Sequence, residues 1–478
     1  MTADLAGDIF PYVEPAIVWI SLFVIGSGLL QNGIYALQLA VAFRALRSQP
    51  PGAHEGALWA QYSEAALPIA LLVPAYNEEA TIVENIRSLM SLHYPQFEII
   101  VINDGSKDET VAAVMAAYGL TPIRRSYEEA VPHKPIRGLY GSPNHPNLLL
   151  IDKENGGKSD ALNAGINLSR APLFCAVDAD SILESDSLLR IVQPYIEDPD
   201  RMIAVGGTIR IVNGCTVRAG KVVQIALPRQ FLPLLQTIEY LRAFLMARLA
   251  WSRMGVMMLI SGAFGLFRRE AAVAVGGYSH GTVGEDLELI VKMHRQRVDS
   301  GRSYAMRFIP EPVCWTEAPS SWRVLARQRI RWQRGSLETF WKHRDMALNP
   351  RYGRVGIFGF GHLLLVDVLG PPIDVLGYLL MPLFYALGLL NWDYFLAFVA
   401  LTFITGIFIS IGSLMLEELE LRRFPGSGQL FVLTAVAIVE NFGYRQINNI
   451  WRIVGWWHFL RGTQGWGAMT RTGFRKAS

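Results

Sequence analysis

A long uncharged segment near the start of the chain sets the first limit on its fold. No charged residue occurs from Pro15 to Phe43, an interval of about 29 residues, and roughly 20 suffice to cross the hydrocarbon core of a bilayer as a helix. The segment is therefore predicted to be a membrane span that tilts or protrudes. Gln31 and Asn32 lie inside it, and because an uncompensated amide is costly in lipid, both are expected to face other helices.

The charges that flank this span predict its orientation. Asp4, Asp8 and Glu14 precede it, whereas a signal peptide would begin with a basic segment and have a shorter apolar core. Arg44 and Arg47 follow it directly. Because cytoplasmic flanks are rich in Lys and Arg, the N-terminus is predicted to lie outside and the next segment in the cytoplasm.

Composition agrees with a membrane protein and excludes some partners. Hydrophobic residues make up 51% of the 478 residues and charged residues 18%, against about 25% charged in soluble domains. A net charge of +3 is too small to indicate a nucleic-acid partner. Cys175, Cys215 and Cys314 lack any C-x-x-C spacing, so neither a disulfide nor a zinc site is predicted.

After the N-terminal segment (1–48) and a linker (49–66), residues 67–350 have the pattern of an α/β domain. Short apolar runs alternate with helical stretches, which predicts a mainly parallel sheet covered on both faces. The predicted strands are residues 69–73, 97–102, 148–151 and 173–177.

Polar residues follow each of these strands, at 76–79, 104–106, 153–158 and 178–180. Each cluster alone is ordinary turn or helix-start chemistry. Ligands of open α/β sheets bind beyond the carboxyl ends of the strands, so four such clusters together predict a site there.

Residues 156–159 resemble the end of a phosphate-binding P-loop, but Asp152 stands where that motif needs glycine. ATP or GTP hydrolysis is therefore not predicted, and Lys158 remains available to a phosphate at a helix start.

Two later parts of the sequence are also expected to contact the membrane. Residues 226–251 mix large apolar residues with Arg229, Arg242 and Arg248, which predicts a helix on the inner membrane face. In the C-terminal region (351–478), residues 355–369 have an interfacial pattern, 375–392 and 394–416 are long enough to span, and 424–439 is near the lower limit. Four spans would leave the C-terminus outside, yet the positive-inside rule favours the cytoplasm for its basic residues, which are Arg445, Arg452, Arg461, Arg471, Arg475 and Lys476.

The charged residues of the α/β domain favour chemistry on a sugar diphosphate. Asp178 and Asp180 beside Lys158 suit Mg²⁺ or Mn²⁺ together with a diphosphate that supplies the remaining ligands. Asp286, at the predicted start of a helix, is then free to act as a base, although acids there also complement the helix dipole.

A third feature of this chemistry is a basic and aromatic cluster. Gln328, Arg331 and Trp332 fall on one face if their segment is helical. Arg331 could stabilise charge on a departing phosphate and Trp332 could stack on a sugar ring. The alternative is an amphipathic surface helix with solvated arginines.

These residues together resemble the membrane-embedded processive glycosyltransferases of family 2, which include cellulose, hyaluronan, chitin and bacterial poly-N-acetylglucosamine synthases. The Q-x-x-R-W motif is the most specific part of the resemblance. The matching segments are residues 74–79, 104–106, 157–158, 178–180, 285–286 and 328–332.

The resemblance implies a GT-A catalytic domain on the cytoplasmic side of the bacterial inner membrane. It also implies an inverting, processive enzyme that polymerises a UDP-sugar, foremost UDP-N-acetylglucosamine, into a β-linked exopolysaccharide and translocates it. Mg²⁺ or Mn²⁺ is the implied cofactor. UDP-sugar, growing polysaccharide and lipid bilayer are the implied partners, and a small accessory membrane subunit is left open.

Residue roles follow from the same resemblance. Asp286 and Arg331 match the catalytic positions, Asp180 the metal ligand, Tyr76, Glu78, Asp104, Lys158, Asp178 and Gln328 the donor site, and Trp332, Ser261, Gly262 and Glu285 the acceptor site. Such enzymes often have Asp-Asp-Gly-Ser where this chain has Asn103 before Asp104, which leaves open how the uracil is held.

Three alternatives remain at this point. The first is a non-processive membrane glycosyltransferase with a lipid acceptor, and the second a β-glucan synthase that uses UDP-glucose. The third, from another functional class, is a transporter or scaffold with a nucleotide-sensing domain, which has no reason to combine Asp286 with the Asp-x-Asp pair.

Overall fold

The computed structural model describes residues 2–48, 55–218, 220–420 and 426–462. It consists of an α/β unit and a set of long apolar helices joined to it. Arg471, Arg475 and Lys476 of the predicted basic tail lie outside the described residues, as do residues 49–54 of the predicted linker. Residues later in that linker form a helix, α2 (Glu55–Tyr62), and the long N-terminal helix is α1 (Thr2–Arg47).

The α/β unit is built on a ten-stranded mixed sheet with the order β3-β4-β5-β2-β1-β6-β11-β8-β12-β7 in the described part of the chain. The four strands predicted from the sequence are present and adjacent, and they pair in parallel as β5-β2-β1-β6. The fold class is therefore confirmed. The strands are β1 (Ile69–Ala75), β2 (Phe97–Asp104), β3 (Thr121–Pro122), β4 (Ile136–Ser142), β5 (His145–Lys153), β6 (Leu173–Val177), β7 (Ile182–Leu183), β8 (Met202–Ile211), a separate ribbon of β9 (Thr216–Arg218) and β10 (Lys221–Gln224), β11 (Phe264–Arg268) and β12 (Ala305–Thr316).

Helices cover both faces of this sheet. Consecutive strand residues point to opposite faces, so Leu71 packs with Ile86 on one side and Leu72 with Ile166 on the other. All four side chains are fully buried, and burying each contributes about 1.5–3 kcal/mol. The helices of the unit are α3 (Ile82–Met90), α4 (Thr110–Tyr118), α5 (Lys158–Leu168), α6 (Ser187–Glu197), α7 (Phe231–Tyr240), α8 (Ala247–Met254), α9 (Arg269–Ala274), α10 (Glu285–Asp299) and α11 (Trp322–Lys342).

The segment predicted to lie on the membrane face is packed inside the molecule. It forms α7, a π-helical segment (Leu241–Met246) and α8, and these contact the sheet on one side and the long apolar helices on the other. Arg242 donates to Glu440 at 2.5 Å, and Arg248 is buried. These two arginines therefore do not face lipid headgroups, because the fold buries the helix face that carries them.

Three helices of the described residues are long and apolar enough to cross a membrane, at Pro15–Arg47, Val355–Ala386 and Trp392–Leu419. The chain is therefore described as a membrane protein. The second helix includes residues 355–369, whose pattern had indicated an interfacial position. Two π-helical segments, Val355–Phe360 and Leu363–Val368, continue the helix through that stretch. They lead into α12 (Gly370–Ala386), which has Pro371 and Pro372 in its first turn, where proline is tolerated, and Pro382 in its interior.

The last helix of the described part packs back onto α11. After α13 (Trp392–Glu420), α14 (Ser427–Val439) has 13 residues, fewer than a span needs. Helix α15 (Tyr444–Leu460) then lies along α11, where Arg452 donates to the Gln333 side chain at 2.6 Å. Glu417 of α13 pairs with Arg210 of β8, and both side chains are buried. The sheet is thus linked to the apolar helix α13 by a buried ion pair.

Candidate active site

The carboxyl ends of β1, β2, β5 and β6 lie side by side, so the polar clusters that follow them meet at one edge of the sheet. The loops after β1 and β2 are joined by hydrogen bonds. The Asn77 N–H donates to Ser106 Oγ at 2.9 Å, and the Lys107 N–H donates to Asn77 Oδ1 at 2.8 Å. Asn77 has φ of 56°, a left-handed conformation that asparagine tolerates. Tyr76 beside it is exposed.

The side chain of Asp104 is buried beneath these loops. Its Oδ1 accepts from Lys153 Nζ and from the Gly156 N–H, both at 2.9 Å, and its Oδ2 accepts from the Gly157 N–H at 2.7 Å. The two glycine N–H groups therefore bind a carboxylate of the protein, which agrees with the rejection of a P-loop. Asp104 holds the loop that leads to Lys158. Asn103, where an acid was expected, donates to Asp152 at 2.6 Å.

Sequence reasoning missed the ion cluster that supports Asp104. Lys153 is completely buried and also pairs with Asp160. Asp160 in turn accepts from the Lys134 N–H and lies 3.1 Å from His280. Because a buried ammonium needs carboxylates around it, the polar residue Lys153 at the end of an apolar strand was the available signal.

Lys158 connects four segments of the site at the start of α5. Its Nζ lies 2.5 Å from Asp178 Oδ1, 3.3 Å from the Gly262 carbonyl oxygen and 3.8 Å from Glu285 Oε1. Burial opposes its charge, but the carboxylates of Asp178 and Glu285 outweigh burial and raise the pKa of Lys158. Burial also raises the pKa of Glu285 above the usual carboxyl range, with Lys158 opposing the shift and Asp286 adding to it. The centre is thus a cation held among three acids.

Asp286 is the second residue of α10 and is partly exposed. Its Oδ2 accepts from the Gly262 N–H at 3.1 Å, and its Oδ1 accepts from the Leu287 N–H at 2.8 Å. The predicted acceptor segment at 261–263 is therefore bonded directly to the predicted base. The carboxylate has a fixed orientation and lines the same cavity as Lys158.

Helix α11 presents Gln328, Arg331 and Trp332 to that cavity. The ring of Trp332 contacts Phe244 edge to face at 6.5 Å between centroids. The guanidinium of Arg329 lies 4.2 Å from the Trp332 ring centroid. Arg329, which the sequence did not single out, is buried and bonds to Glu239 at 2.7 Å and to Gln328 Oε1 at 2.9 Å. It therefore fixes both the amide and the indole of the motif.

A single cavity of about 560 Å³ contains most of the predicted site. It does not stop at the α/β unit, because residues of α1, α12, α13 and α15 line it as well, including Gln31, Asp374, Leu401 and Asn449. Gln31 is buried and donates to Asp374 at 3.2 Å, as expected for an amide that faces other helices. The predicted site residues that line the cavity are Lys158, Asp178, Ser261, Gly262, Glu285, Asp286, Gln328, Arg331 and Trp332.

Four predicted site residues do not line this cavity: Tyr76, Glu78, Asp104 and Asp180. Tyr76 and Glu78 belong to the loop after β1, and Asp104 is the last residue of β2. Asp180 follows β6 two residues after Asp178, and its charge raises the pKa of the cavity residue Tyr240, where burial is the main cause of the shift. The residues expected to bind uridine therefore lie apart from those expected to bind the acceptor. Lys158 and Asp178 connect the two groups: Lys158 follows Gly157, which is bonded to Asp104, and its Nζ contacts Asp178, Gly262 and Glu285.

Two sequence models describe the same residues. Residues 70–131 match "Glycosyl transferase family 2" and residues 143–335 match "Glycosyltransferase like family 2". Together they cover more than half of the chain and every strand of the parallel core. The chain belongs to glycosyltransferase family 2.

This family 2 glycosyltransferase is similar to curated bacterial proteins. It is 29% identical over 271 residues to a poly-beta-1,6-N-acetyl-D-glucosamine synthase of Staphylococcus aureus strain COL, covering 56% of this chain and 55% of that protein. It is 28% identical over 278 residues to the synthase of the same name from Staphylococcus epidermidis, covering 57% and 56%. The chain thus spans about half the length of the curated relatives it matches.

A solved structure supports the GT-A fold. A mannosyltransferase from Pyrobaculum calidifontis, in complex with GDP-mannose and Mn²⁺, superimposes on this family 2 glycosyltransferase with a TM-score of 0.52 and 17% sequence identity. The match covers 93% of this chain and 100% of that chain. At 17% sequence identity, this similarity supports a shared fold only.

Proposed function

We propose that this glycosyltransferase polymerises N-acetylglucosamine from UDP-N-acetylglucosamine into a β-linked polysaccharide and passes the product into the membrane through its own helices. One observation carries the proposal: the cavity that contains Lys158, Asp286 and Trp332 is continuous with space between the apolar helices. The names of the staphylococcal relatives support N-acetylglucosamine as the sugar.

The lining of the membrane end of the cavity is suited to a saccharide. Asn449 donates to Asp374 at 3.0 Å and lies 3.4 Å from the Tyr378 hydroxyl. Gln31 donates to the other oxygen of Asp374. Amide, carboxylate and phenol groups can exchange these bonds for bonds to sugar hydroxyls. An apolar lipid chain could not pair with the remaining donors and acceptors of these groups, and each one left unsatisfied would cost about 1–3 kcal/mol.

The mechanism assigns a separate task to each side of the site. Asp286 accepts the proton of the acceptor hydroxyl while that hydroxyl oxygen attacks the anomeric carbon and the UDP oxygen departs, which inverts the anomeric configuration. The hydrogen bonds from Gly262 and Leu287 hold the Asp286 carboxylate in place. Lys158 and Arg331 stabilise the charge that grows on the diphosphate. Trp332 stacks against the acceptor ring.

A divalent cation fits this donor set only as a partner of the diphosphate. The described residues contain no cluster of three His, Cys, Asp or Glu side chains that could hold a metal by themselves, and Asp178 is already paired with Lys158. Asp180, with Asp178 near it, would hold Mg²⁺ or Mn²⁺ whose other ligands are phosphate oxygens. When bound, the ion would neutralise part of the charge on the leaving group.

The three long apolar helices suggest a topology. With the N-terminus outside, three spans return the chain to the cytoplasm before α15, which carries Arg445 and Arg452. This arrangement satisfies the positive-inside rule at both ends of the described residues. We therefore propose that the catalytic domain, residues 67–350, lies on the cytoplasmic side of a bacterial inner membrane.

The experiment that tests this function uses the full chain in lipid nanodiscs with Mg²⁺ or Mn²⁺. Radiolabelled UDP-N-acetylglucosamine should yield a polymer of many units together with stoichiometric UDP, and a chelator should stop the reaction. UDP-glucose should yield little product. A labelled lipid carrying one sugar would show the non-processive alternative, and UDP-glucose as the better donor would show a glucan synthase. No release of nucleotide from any sugar nucleotide would reject the enzyme.

Replacing Trp332 by alanine is expected to shorten the polymer and to lower the transfer rate about tenfold, because a stacked sugar ring loses a contact worth about 1 kcal/mol or more. Gel sizing of the labelled product measures both effects. Trp341→Ala is the matched control, since Trp341 lies on the same helix but is exposed and packs against Phe459 outside the cavity. Wild-type product length and rate in Trp332→Ala would contradict the stacking role.

A further inference from the structure

One buried arginine in the cavity has no acceptor for its hydrogen bonds. The described residues contain four buried arginines, and three of them pair with carboxylates: Arg210 with Glu417, Arg329 with Glu239, and Arg334 with Glu338. The fourth, Arg248, is 4% exposed and lines the cavity. Its guanidinium lies 4.0 Å from the centroid of the Phe244 ring and makes no hydrogen bond or ion pair within the described part of the chain.

Arg248 is placed beside the expected acceptor position. Its neighbours on the same helix face, Phe244 and Trp251, also line the cavity, and Phe244 contacts Trp332. Burial lowers the pKa of Arg248 to about 10, and the negative charge of Asp286, which lines the same cavity, opposes that shift. The guanidinium remains charged at neutral pH. A charged group with five donors and no acceptor is therefore presented to the ligand of this cavity.

We propose that Arg248 binds the acetamido carbonyl oxygen of the terminal sugar of the acceptor and thereby selects an N-acetylated chain. This inference rests on the proposed function, since it takes the acceptor to be a saccharide stacked on Trp332. A guanidinium desolvated to this extent requires a strong acceptor oxygen. The nearby carboxylate of Asp286 would repel an anionic acceptor such as a uronic acid. A neutral amide carbonyl meets both conditions, and a sugar hydroxyl is a weaker acceptor than an amide oxygen.

The test compares two acceptors of equal length and linkage, a trisaccharide of N-acetylglucosamine and a trisaccharide of glucose, with UDP-N-acetylglucosamine as donor. For the wild type the KM of the acetylated acceptor should be lower, by about tenfold or more, as expected for a hydrogen bond to a charged group. Arg248→Met should remove that preference by raising the KM of the acetylated acceptor. Its KM for the donor and for the glucose trisaccharide should stay within about twofold of the wild-type values, and Arg248→Lys should retain part of the preference.

Arg253→Met is the control variant. Arg253 lies on the same helix, donates to Ser48 Oγ at 2.7 Å and does not line the cavity, so its substitution should leave the acceptor preference unchanged. A wild type that treats the two trisaccharides alike, or an Arg248→Met protein that keeps the preference, would overturn the proposal. If Arg248→Met does not fold, equal KM values of the wild type for the two trisaccharides would still overturn the proposal.

Failure of the proposed function would look different. In that case the wild type would transfer nothing to either trisaccharide. Binding of the two trisaccharides to the full chain, followed by intrinsic tryptophan fluorescence, would then decide the inference about Arg248. Tighter binding of the acetylated trisaccharide that depends on Arg248 supports the subsite, and equal or undetectable binding of both rejects it.

Discussion

Replacing Asp286 by asparagine is expected to lower sugar transfer by about 10³-fold or more, because the amide cannot accept the proton of the attacking hydroxyl. Affinity for UDP should change by no more than about twofold, since asparagine has the same size and can still accept one of the two backbone hydrogen bonds. Initial rates with radiolabelled donor and calorimetric titration with UDP measure these two quantities separately.

The control for this variant comes from the same helix. Asp299 ends α10, pairs with Arg351 and does not line the cavity, so Asp299→Asn should transfer sugar at the wild-type rate. Near-normal transfer by Asp286→Asn would remove the base from the mechanism. Loss of UDP binding together with transfer would instead assign Asp286 to the donor site.

Substitution of Gly335 by alanine is expected to lower transfer by about 100-fold, the size of effect that a displacement of about 1 Å can have on a catalytic group. A Cβ at Gly335 would lie 2.8 Å from the Gly284 Cα and 2.9 Å from its backbone nitrogen. No side chain can move aside there, because both contacts are with backbone. The loop that carries Glu285 and Asp286 must therefore shift away from the helix that carries Trp332.

Hydrogen bonds next to the contact between Gly335 and Gly284 hold the loop against helix α11, so the loop cannot easily move away. Glu338, one turn after Gly335, accepts from Thr282 Oγ1 and from the Val283 N–H, both at 3.0 Å. Gly33→Ala is the control, because that helical glycine has nothing within 4 Å of an added Cβ. UDP affinity should be nearly unchanged in Gly335→Ala, while kcat falls. An unaltered kcat would show that the spacing of loop and helix does not limit the reaction.

Much of the sheet could be predicted because its strands are local apolar runs. Residues 69–73, 97–102, 148–151 and 173–177 each lie within a strand of the parallel core. Topology then places their carboxyl ends together without any information from side-chain packing. The cavity-lining residues also follow local patterns: Asp178 comes directly after β6, Lys158 begins the helix that follows β5, and Gln328, Arg331 and Trp332 occupy one face of a helix.

The remaining features depend on partners that are distant in sequence. Residues 226–251 have the composition of an interfacial helix, yet in the folded chain Arg242 pairs with Glu440. In the same way Arg329 of α11 pairs with Glu239. No local pattern distinguishes such arginines from solvated ones. The sequence pattern divides the second apolar helix at Pro371 and Pro372. It does not show that π-helical segments continue the helix from Val355 to these prolines. The bonds of Asp104 to Lys153 and to the N–H groups of two glycines likewise could not be predicted from the sequence.

Two ion pairs that join the α/β unit to the apolar helices have a consequence for how the proposed product would advance. Arg210 with Glu417, and Arg242 with Glu440, fix the cavity-lining residues of the α/β unit relative to those helices. A hinge between them would expose unpaired charges at each stroke, which is costly. In the proposed function, the polymer and not the protein is then the moving part: each addition lengthens the polymer at a fixed position and pushes the earlier units forward.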